Sequence, residues 1–284
     1  MTEADPGVTS RAGVLGSPVA HSLSPVLHRA AYEAMGLPGW TYDAYDVSEA
    51  DLPRFLDGLD QSWVGLSLTM PLKAAVLPLL DAVTPLVTTV GAANTVLLSG
   101  GQRGGENTDV PGMVTALADS GVHRVSSVAV LGGGATARSA LAAAAAVSGA
   151  ASVYSRTDQR AGALKATAGA VGLALDVRGW AAATEALRAP LVVNTTPAGA
   201  ANVLAQDLPA TPGTLLEVLY DPWPTPLAAA WAGRGGAVVN GLDLLVHQAV
   251  LQVGLMTGVP IDVPGLADLL RAAGRRALRF QGTV

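Results

Sequence analysis

Val128-Ala-Val-Leu131-Gly132-Gly-Gly134-Ala-Thr-Ala137 is a short apolar run that ends in three glycines and opens an alanine-rich stretch reaching Val147. An apolar run, a glycine turn and a helical stretch in that order predict a strand from Ser127 to Leu131 and a helix from Ala135 to Val147. The turn fits the pattern G-x-G-x-x-A. Gly132 permits the tight turn, Gly134 lets the backbone approach a pyrophosphate, and Ala137 lets helix pack closely on strand. The phosphates would sit at the helix N-terminus, near Ala135, where unpaired N–H groups and the helix dipole favour an anion. A glycine-rich turn with no ligand is spelled the same way, and the strand on one side with the helix on the other favours the nucleotide.

The next predicted strand, Ser152 to Tyr154, runs into Ser155-Arg156-Thr157. A carboxylate about 20 residues beyond the glycines would accept from the ribose 2′-hydroxyl of NAD. Here an Arg stands in that place. Arg156 suits a 2′-phosphate and an adenine face, with Ser155 and Thr157 as hydroxyl donors, so the pattern points to NADP. Arg156 is equally spelled as a solvated residue at a strand end, and Asp158 would oppose a phosphate.

Around this nucleus the chain alternates apolar runs with helical stretches. Upstream are Ala12 to Gly16, a helix from about Pro25, Trp40 to Val47, a helix near Ala50 to Leu59, and Trp63 to Thr69. Downstream are a helix from about Asp158, then strands Leu191 to Asn194, Leu215 to Leu219 and Ala237 to Val239. This rhythm predicts an α/β protein with largely parallel strands. Ser24-Pro25 reads as N-cap and N1 of the first helix. Ser99 to Gly105, followed by Pro111-Gly112, reads as a hairpin turn and a crossover helix from Met113 to Ser120, and a boundary falls near there. Two last helical segments, Leu242 to Thr257 and Pro264 to Phe280, have no strand after them and could return to the first nucleus.

At 284 residues the chain has room for about two domains. Hydrophobic residues make up 50% and charged residues 14%, which excludes a coiled coil or a solvated tail. With 17 Lys and Arg against 22 Asp and Glu and no basic run, nucleic acid is not the expected partner. Cysteine is absent, which removes disulfides, thiolate nucleophiles and cysteine metal sites. His21, His28, His123 and His247 include no pair at the four-residue spacing of a helical metal site, so no metal is expected. No stretch supplies about 20 strongly apolar residues, so no membrane partner is expected. The start, MTEADPGVTSRAG, lacks the features of a secretory signal, which makes the expected localisation cytoplasmic.

The upstream half places hydroxyls, amides, one Lys and one Asp at predicted strand ends and loops. They are Ser22 and Ser24, Ser67-Leu-Thr69-Met-Pro-Leu-Lys73, Asn94-Thr95 and Asn107-Thr-Asp109. Strand ends of an open α/β sheet are where ligands bind, and this set suits a small polyhydroxylated acid. Singly, each has a plainer reading: Ser24 as a helix cap, Asn94 as a turn residue, Lys73 as a solvated helix residue.

Together they resemble the shikimate dehydrogenase family. Gly16-Ser-Pro-Val-Ala-His21-Ser22-Leu-Ser24-Pro25 resembles its shikimate-binding motif G-x-P-x-x-H-S-x-S-P. The other motifs follow in order: Thr69 to Lys73, Ala93-Asn94-Thr95, Asn107-Thr108-Asp109, the Gly132 turn, Ser155-Arg156-Thr157, Asn194-Thr195-Thr196-Pro197, Tyr220-Asp221-Pro222 with Thr225-Pro226-Leu227, and Gly241-Leu242 through Gln248. They span about residues 13 to 258.

The resemblance implies a substrate-binding domain over 1–112 with 242–284, a Rossmann-type NADP-binding domain over 113–241, and a cleft between them. It implies that Ser22 and Ser24 bind the substrate carboxylate, that Ser67, Thr69, Asn94, Tyr220 and Gln248 line the substrate site, and that Lys73 with Asp109 is the catalytic pair. Gly132, Gly133, Gly134, Ala135, Ser155, Arg156, Thr157, Thr195 and Gly241 would hold NADP. Ser67, Leu72, Ser155 and Leu244 replace the family's usual Asn, His, Asn and Met, and of these only Ser67 lies near the substrate. The implied activity is NADP-dependent reversible reduction of 3-dehydroshikimate to shikimate, by a monomer or homodimer. A quinate/shikimate dehydrogenase of broader specificity or NAD preference is the near alternative, against which Ser24 and Arg156 count. A catalytically silent NADP-dependent ligand sensor is a further one, and it has no need of Lys73 and Asp109.

Overall fold

Two six-stranded sheets are present in the computed structural model, which describes residues 9–261 and 263–281. Residues 1–8, most of the acidic start read above, lie outside them. The strands are β1 Ser10–Gly16, β2 Trp40–Asp46, β3 Trp63–Leu68, β4 Ala82–Val83, β5 Thr95–Ser99 and β6 Gln102–Glu106, then β7 Val128–Leu131, β8 Ala150–Ser155, β9 Ala174–Gly179, β10 Leu191–Asn194, β11 Thr214–Glu217 and β12 Ala237–Val239. The helices are α1 Ser24–Ala34, α2 Leu52–Asp57, α3 Leu72–Ala75, α4 Pro85–Val90, α5 Asp109–Asp119, α6 Ala135–Val147, α7 Ala161–Ala170, α8 Ala183–Ala186, α9 Pro226–Gly233, α10 Gly241–Thr257 and α11 Val263–Gln281.

The chain forms two compact units. Among the described residues the first takes those up to Thr88, Ala92–Thr108 and those from Val246 onward, and the second takes Thr89–Gly91 and Asp109–Leu245. In the first, the sheet order is β2-β1-β3-β5-β6-β4. β1 pairs in parallel with β2 and β3, whereas β5 runs antiparallel to both β3 and β6. This sheet is therefore mixed: the strand-helix rhythm predicted largely parallel strands, while the hairpin turn read at Ser99 to Gly105 is the one that joins β5 to β6. The antiparallel pair arises from the turn at Gly100-Gly101, both at positive φ, a backbone that glycine adopts without strain and that closes a two-residue hairpin. Leu15, Leu66, Leu68, Leu72 and Val96 bury their side chains between this sheet and its helices. Each such burial contributes roughly 1.5–3 kcal/mol.

In the second unit the order is β12-β11-β10-β7-β8-β9 with every pairing parallel. Numbered from β7, this is 6-5-4-1-2-3, the doubly wound order whose ligand crevice opens where the chain switches direction, between β7 and β10. Buried on both faces, β7 is a continuous apolar run and β10 is one as far as Asn194. Ala137, Ala140, Leu141 and Ala144 give α6 a smooth buried face, and Trp231 is fully buried with its indole N–H donating to the Gly213 carbonyl at 2.9 Å.

Several expected boundaries shift. Ser24 is the first helical residue of α1, not its cap; Leu23 takes the cap position and no side chain caps the helix. The crossover helix starts at Asp109, before Pro111-Gly112, because proline is tolerated in a first turn. Asp158–Arg160 forms a 3₁₀ turn ahead of α7. Strand β9, an edge strand with the partly exposed sequence Ala-Leu-Asp-Val-Arg-Gly, was not foreseen.

Candidate active site

Within the first unit the strand-end residues form one buried hydrogen-bond network. Asn94, which precedes β5, accepts at Oδ1 from the Thr108 N–H at 2.7 Å and from Thr95 Oγ1 at 3.0 Å. Its Nδ2 donates to Thr108 Oγ1 at 2.8 Å and to Gln248 Oε1 at 3.2 Å. Ser67, near the end of β3, receives the Tyr42 hydroxyl at 2.6 Å and donates to Gln252 Oε1 at 2.8 Å. Gln252 Nε2 donates to the Asn94 carbonyl at 3.1 Å and to Thr95 Oγ1 at 2.8 Å. Ser24 joins the network through the Tyr42 hydroxyl, and Ser22 Oγ accepts the Ser24 N–H at 3.3 Å. The structure thus ties Ser22, Ser24, Ser67, Asn94 and Gln248 together through Tyr42, Thr95, Thr108 and Gln252. A network of this kind, satisfied in a low-dielectric interior, holds polar groups in fixed directions.

The remaining expected substrate residues lie as follows. Thr69 follows β3, with its N–H donating to the Leu15 carbonyl at 2.9 Å. Lys73 is half-buried on α3, and its carbonyl accepts from the Ala93 N–H at 2.8 Å, which fixes α3 against the segment leading to Asn94. Asp109 is buried at the first position of α5, directly after Thr108. Asp109 and the half-buried Tyr220, which follows β11, belong to the second unit.

His28 is fully buried under this network. Its ring lies flat on Tyr42, with centroids 3.9 Å apart, and its Nε2 is 3.3 Å from Gln252 Oε1. Since that oxygen only accepts, Nε2 carries the proton and Nδ1 is bare, and Nδ1 has no partner. Burial pushes the imidazolium pKa down to about 3, and burial likewise pushes the Tyr42 phenol up.

In the second unit the glycine turn joins β7 to α6. Gly132 has φ +110°, open to glycine and strained for other residues, and a β-carbon there would meet Thr195 Oγ1. At Gly133 a β-carbon would lie 3.1 Å from that of Ser155, and at Gly134, which caps α6, it would lie 3.7 Å from a guanidinium nitrogen of Arg160. Bare backbone N–H groups at the N-terminus of the 13-residue helix α6, a crevice kept clear of side chains, and a guanidinium beside it fit a dinucleotide pyrophosphate. Ala135 opens the helix. Thr195 follows β10, its Oγ1 donating to the Leu131 carbonyl at 2.7 Å. Gly241 opens α10 and is buried against the backbone of Val218 and Leu219, where a side chain would not fit.

Arg156 and Thr157 are exposed after β8. Ser155 is buried and donates to the Thr157 carbonyl at 3.2 Å, so its hydroxyl holds the turn instead of pointing outward. The side chain of Asp158 lies outside the described residues. Arg138, one turn into α6, donates to the Val90 and Gly91 carbonyls at 2.6 and 2.8 Å. Burial and the nearby positive charge of Arg160 lower its pKa. Behind Thr195, Glu217 is fully buried and accepts from Asn194 Nδ2 at 2.8 Å and Thr225 Oγ1 at 3.0 Å, while Asn194 Oδ1 takes the Thr196 hydroxyl at 2.7 Å. Burial raises the Glu217 pKa.

Reading the sequence missed Arg160, Tyr42, His28 and Gln252. Arg160 stands four residues beyond Arg156, and Gln252 one turn beyond Gln248 in a largely apolar helix; both spacings were signals. Nothing in the sequence marks Tyr42 or His28. Among the described residues, no group of three or more His, Asp or Glu side chains comes together, and no helix is long and apolar enough to cross a membrane.

Comparison with known proteins agrees with this geometry. The family model for the shikimate dehydrogenase substrate binding domain matches residues 14–96. A shikimate dehydrogenase (NADP(+)) of Thermus thermophilus is 37% identical over 272 residues, 94% of this chain and 98% of that protein. Among solved structures, Mycobacterium tuberculosis shikimate dehydrogenase is 40% identical with a TM-score of 0.84, over 93% of this chain and 99% of that one. A Thermus thermophilus shikimate 5-dehydrogenase, solved with NADP(H) and shikimate, is 36% identical with a TM-score of 0.79, over 93% and 99%. With identity of this order over nearly the whole of both chains, and with both sheets ordered as found here, the chain belongs to the shikimate dehydrogenase family.

Proposed function

We propose that this protein catalyses the NADP-linked, reversible reduction of 3-dehydroshikimate to shikimate. The observation that carries the reading is the buried network of the first unit, which holds Ser24, Ser67, Asn94 and Gln248 in fixed directions. Rigid hydrogen-bonding groups around a small pocket are what a ring bearing several hydroxyls and one carboxylate requires. Most of the proposed substrate residues belong to the first unit and the proposed cofactor residues to the second.

Ser22 and Ser24, at the start of α1, would bind the substrate carboxylate. Ser24 also reaches Tyr42, but a carboxylate draws the hydroxyl proton more strongly than a neutral phenol does. Thr69, Asn94, Tyr220 and Gln248 would line the ring, with Ser67 behind one of its hydroxyls. Bound NADPH supplies a hydride to the carbonyl carbon. Negative charge then builds on the carbonyl oxygen, and Lys73 as an ammonium would donate a proton there; its neutral form would take the proton back in oxidation. Asp109 would orient Lys73 and favour its charged form against desolvation.

Gly132, Gly133, Gly134 and Ala135 would take the pyrophosphate, and Thr195 and Gly241 would border the nicotinamide half. Arg156, Thr157 and Arg160 would meet the 2′-phosphate, with Ser155 holding their turn. Guanidinium groups favour a dianionic phosphate over the bare hydroxyl of NAD. The protein would work in the cytoplasm as a monomer or homodimer on a small-molecule substrate. Initial rates with shikimate and quinate, each with NADP and NAD, followed by reduced-nicotinamide absorbance, test the reading. The expected order puts shikimate with NADP first. A faster rate with quinate or NAD would move the protein to the quinate/shikimate branch, and no rate with any pair would leave a binding protein.

A further inference from the structure

The protons of the buried network can be placed one by one. The Asn94 carbonyl oxygen only accepts, so the Gln252 group 3.1 Å away is Nε2, and its second proton goes to Thr95 Oγ1. Oε1 of Gln252 therefore faces Ser67 Oγ at 2.8 Å. An amide oxygen only accepts, so the single Ser67 proton points at Gln252. The Tyr42 hydroxyl, 2.6 Å from Ser67, must then be a donor to it. Ser67 is left with one lone pair and no proton to offer.

We propose that Gln252 is a positioning residue that fixes the hydrogen-bonding sense of Ser67, so that the pocket meets one ring hydroxyl with an acceptor only and selects a substituent that donates. The proposal rests on the reading of Ser67 as a substrate-lining residue. A serine free to rotate would serve donors and acceptors alike. Ser67 is pinned on both sides and 4% exposed, and turning its proton toward a ligand would cost the bond to Gln252 and leave a buried amide oxygen with only the 3.3 Å contact from His28. Gln252 would thus act on specificity from a place that need not touch the substrate.

The test uses shikimate and two analogues in which each non-reacting ring hydroxyl is in turn replaced by fluorine, which accepts weakly and cannot donate. KM and kcat are measured with NADP on the wild type, Ser67→Ala and Gln252→Leu. In the wild type, one analogue should show a KM raised roughly ten- to hundredfold over shikimate, with a smaller change in kcat. Ser67→Ala should raise the shikimate KM and abolish most of that ratio. Gln252→Leu frees the Ser67 proton, and the ratio should fall there too. An unchanged ratio in folded Gln252→Leu would overturn the proposal. So would a wild type that takes both analogues as well as shikimate while Ser67→Ala still raises the shikimate KM, a result that needs no Gln252 variant to fold. If Ser67→Ala leaves the shikimate KM unchanged, the placement of Ser67 beside the substrate fails, and the proposal with it.

Discussion

Thr195 stands over Gly132: a β-carbon on Gly132 would lie 2.5 Å from Thr195 Oγ1. Thr195 has no freedom to yield, because its hydroxyl and its N–H both donate to the Leu131 carbonyl, at 2.7 and 2.9 Å. With φ at +110° an added methyl is also strained, at roughly 1–3 kcal/mol. Gly132→Ala should therefore raise the KM for NADP by about tenfold or more, while shikimate binding to the free enzyme, measured by calorimetry, changes little. An unaltered KM for NADP would place the dinucleotide elsewhere.

The proposed placement of Arg156 and Arg160 at the 2′-phosphate makes that group the test of cofactor choice. Wild-type kcat/KM should favour NADP over NAD by at least about tenfold, a ratio for which roughly 1.4 kcal/mol suffices. Arg156→Ala should lower NADP use far more than NAD use, and Arg160→Ala should act in the same direction. Equal losses with both cofactors would assign Arg156 to adenine stacking or to packing.

His28 gives stability a definite pH dependence. Its folded pKa of about 3 lies below the ordinary value of 6.5, so between those limits the unfolded chain binds the extra proton. Stability from this group is complete above about pH 6.5 and is lost as the pH falls toward 3, with a slope of up to about 1.4 kcal/mol per pH unit. Urea unfolding of the wild type at pH 7 and pH 4 should differ by about 3 kcal/mol more than the same pair of measurements on His28→Gln. Parallel pH profiles for the two proteins would show that His28 is not held neutral in the fold.

Replacing both Ser22 and Ser24 by Ala removes two hydroxyl donors at the start of α1. The KM for shikimate should rise roughly 10- to 100-fold, the loss of about 1–3 kcal/mol of charge-assisted hydrogen bonding. Stability should fall by about 1–2 kcal/mol, since Ser22 Oγ accepts the Ser24 N–H and the buried Ser24 hydroxyl meets Tyr42, although neither side chain caps the helix. An unchanged KM would send the carboxylate to another part of the pocket.

The second unit was legible because its sequence obeys local rules. The run from Val128 to Ala137 spells strand, glycine turn and helix through backbone sterics and small-residue packing alone, and α6 spans Ala135–Val147 as read. The mixed sheet of the first unit was harder: an antiparallel β5 is decided by which strand it pairs with, and apolar periodicity says nothing about direction. Edge strand β9 lacked the continuous apolar run of its buried neighbours. Among the site residues, Ser67 and Asn94 stood out as polar groups at strand ends. Tyr42 and His28 did not, because an aromatic in a strand and a histidine on an apolar helix face look like core until a partner from α10 meets them. Gln252 lies 158 residues from the Asn94 carbonyl it holds, a pairing no local pattern encodes.

The proposed transfer of hydride from NADPH to the carbonyl carbon of 3-dehydroshikimate, with Lys73 as the proposed proton donor, is most directly tested by isotope. The enzyme is incubated with 3-dehydroshikimate and NADPH deuterated at the reactive position of the nicotinamide, and the product is examined by mass spectrometry and NMR. Shikimate carrying one deuterium on the carbon that was the carbonyl is expected. With Lys73→Ala the same labelled product should form about 10² to 10⁴ times more slowly. Formation of no shikimate, of shikimate without the label, or of labelled shikimate at an undiminished rate in Lys73→Ala would contradict the mechanism.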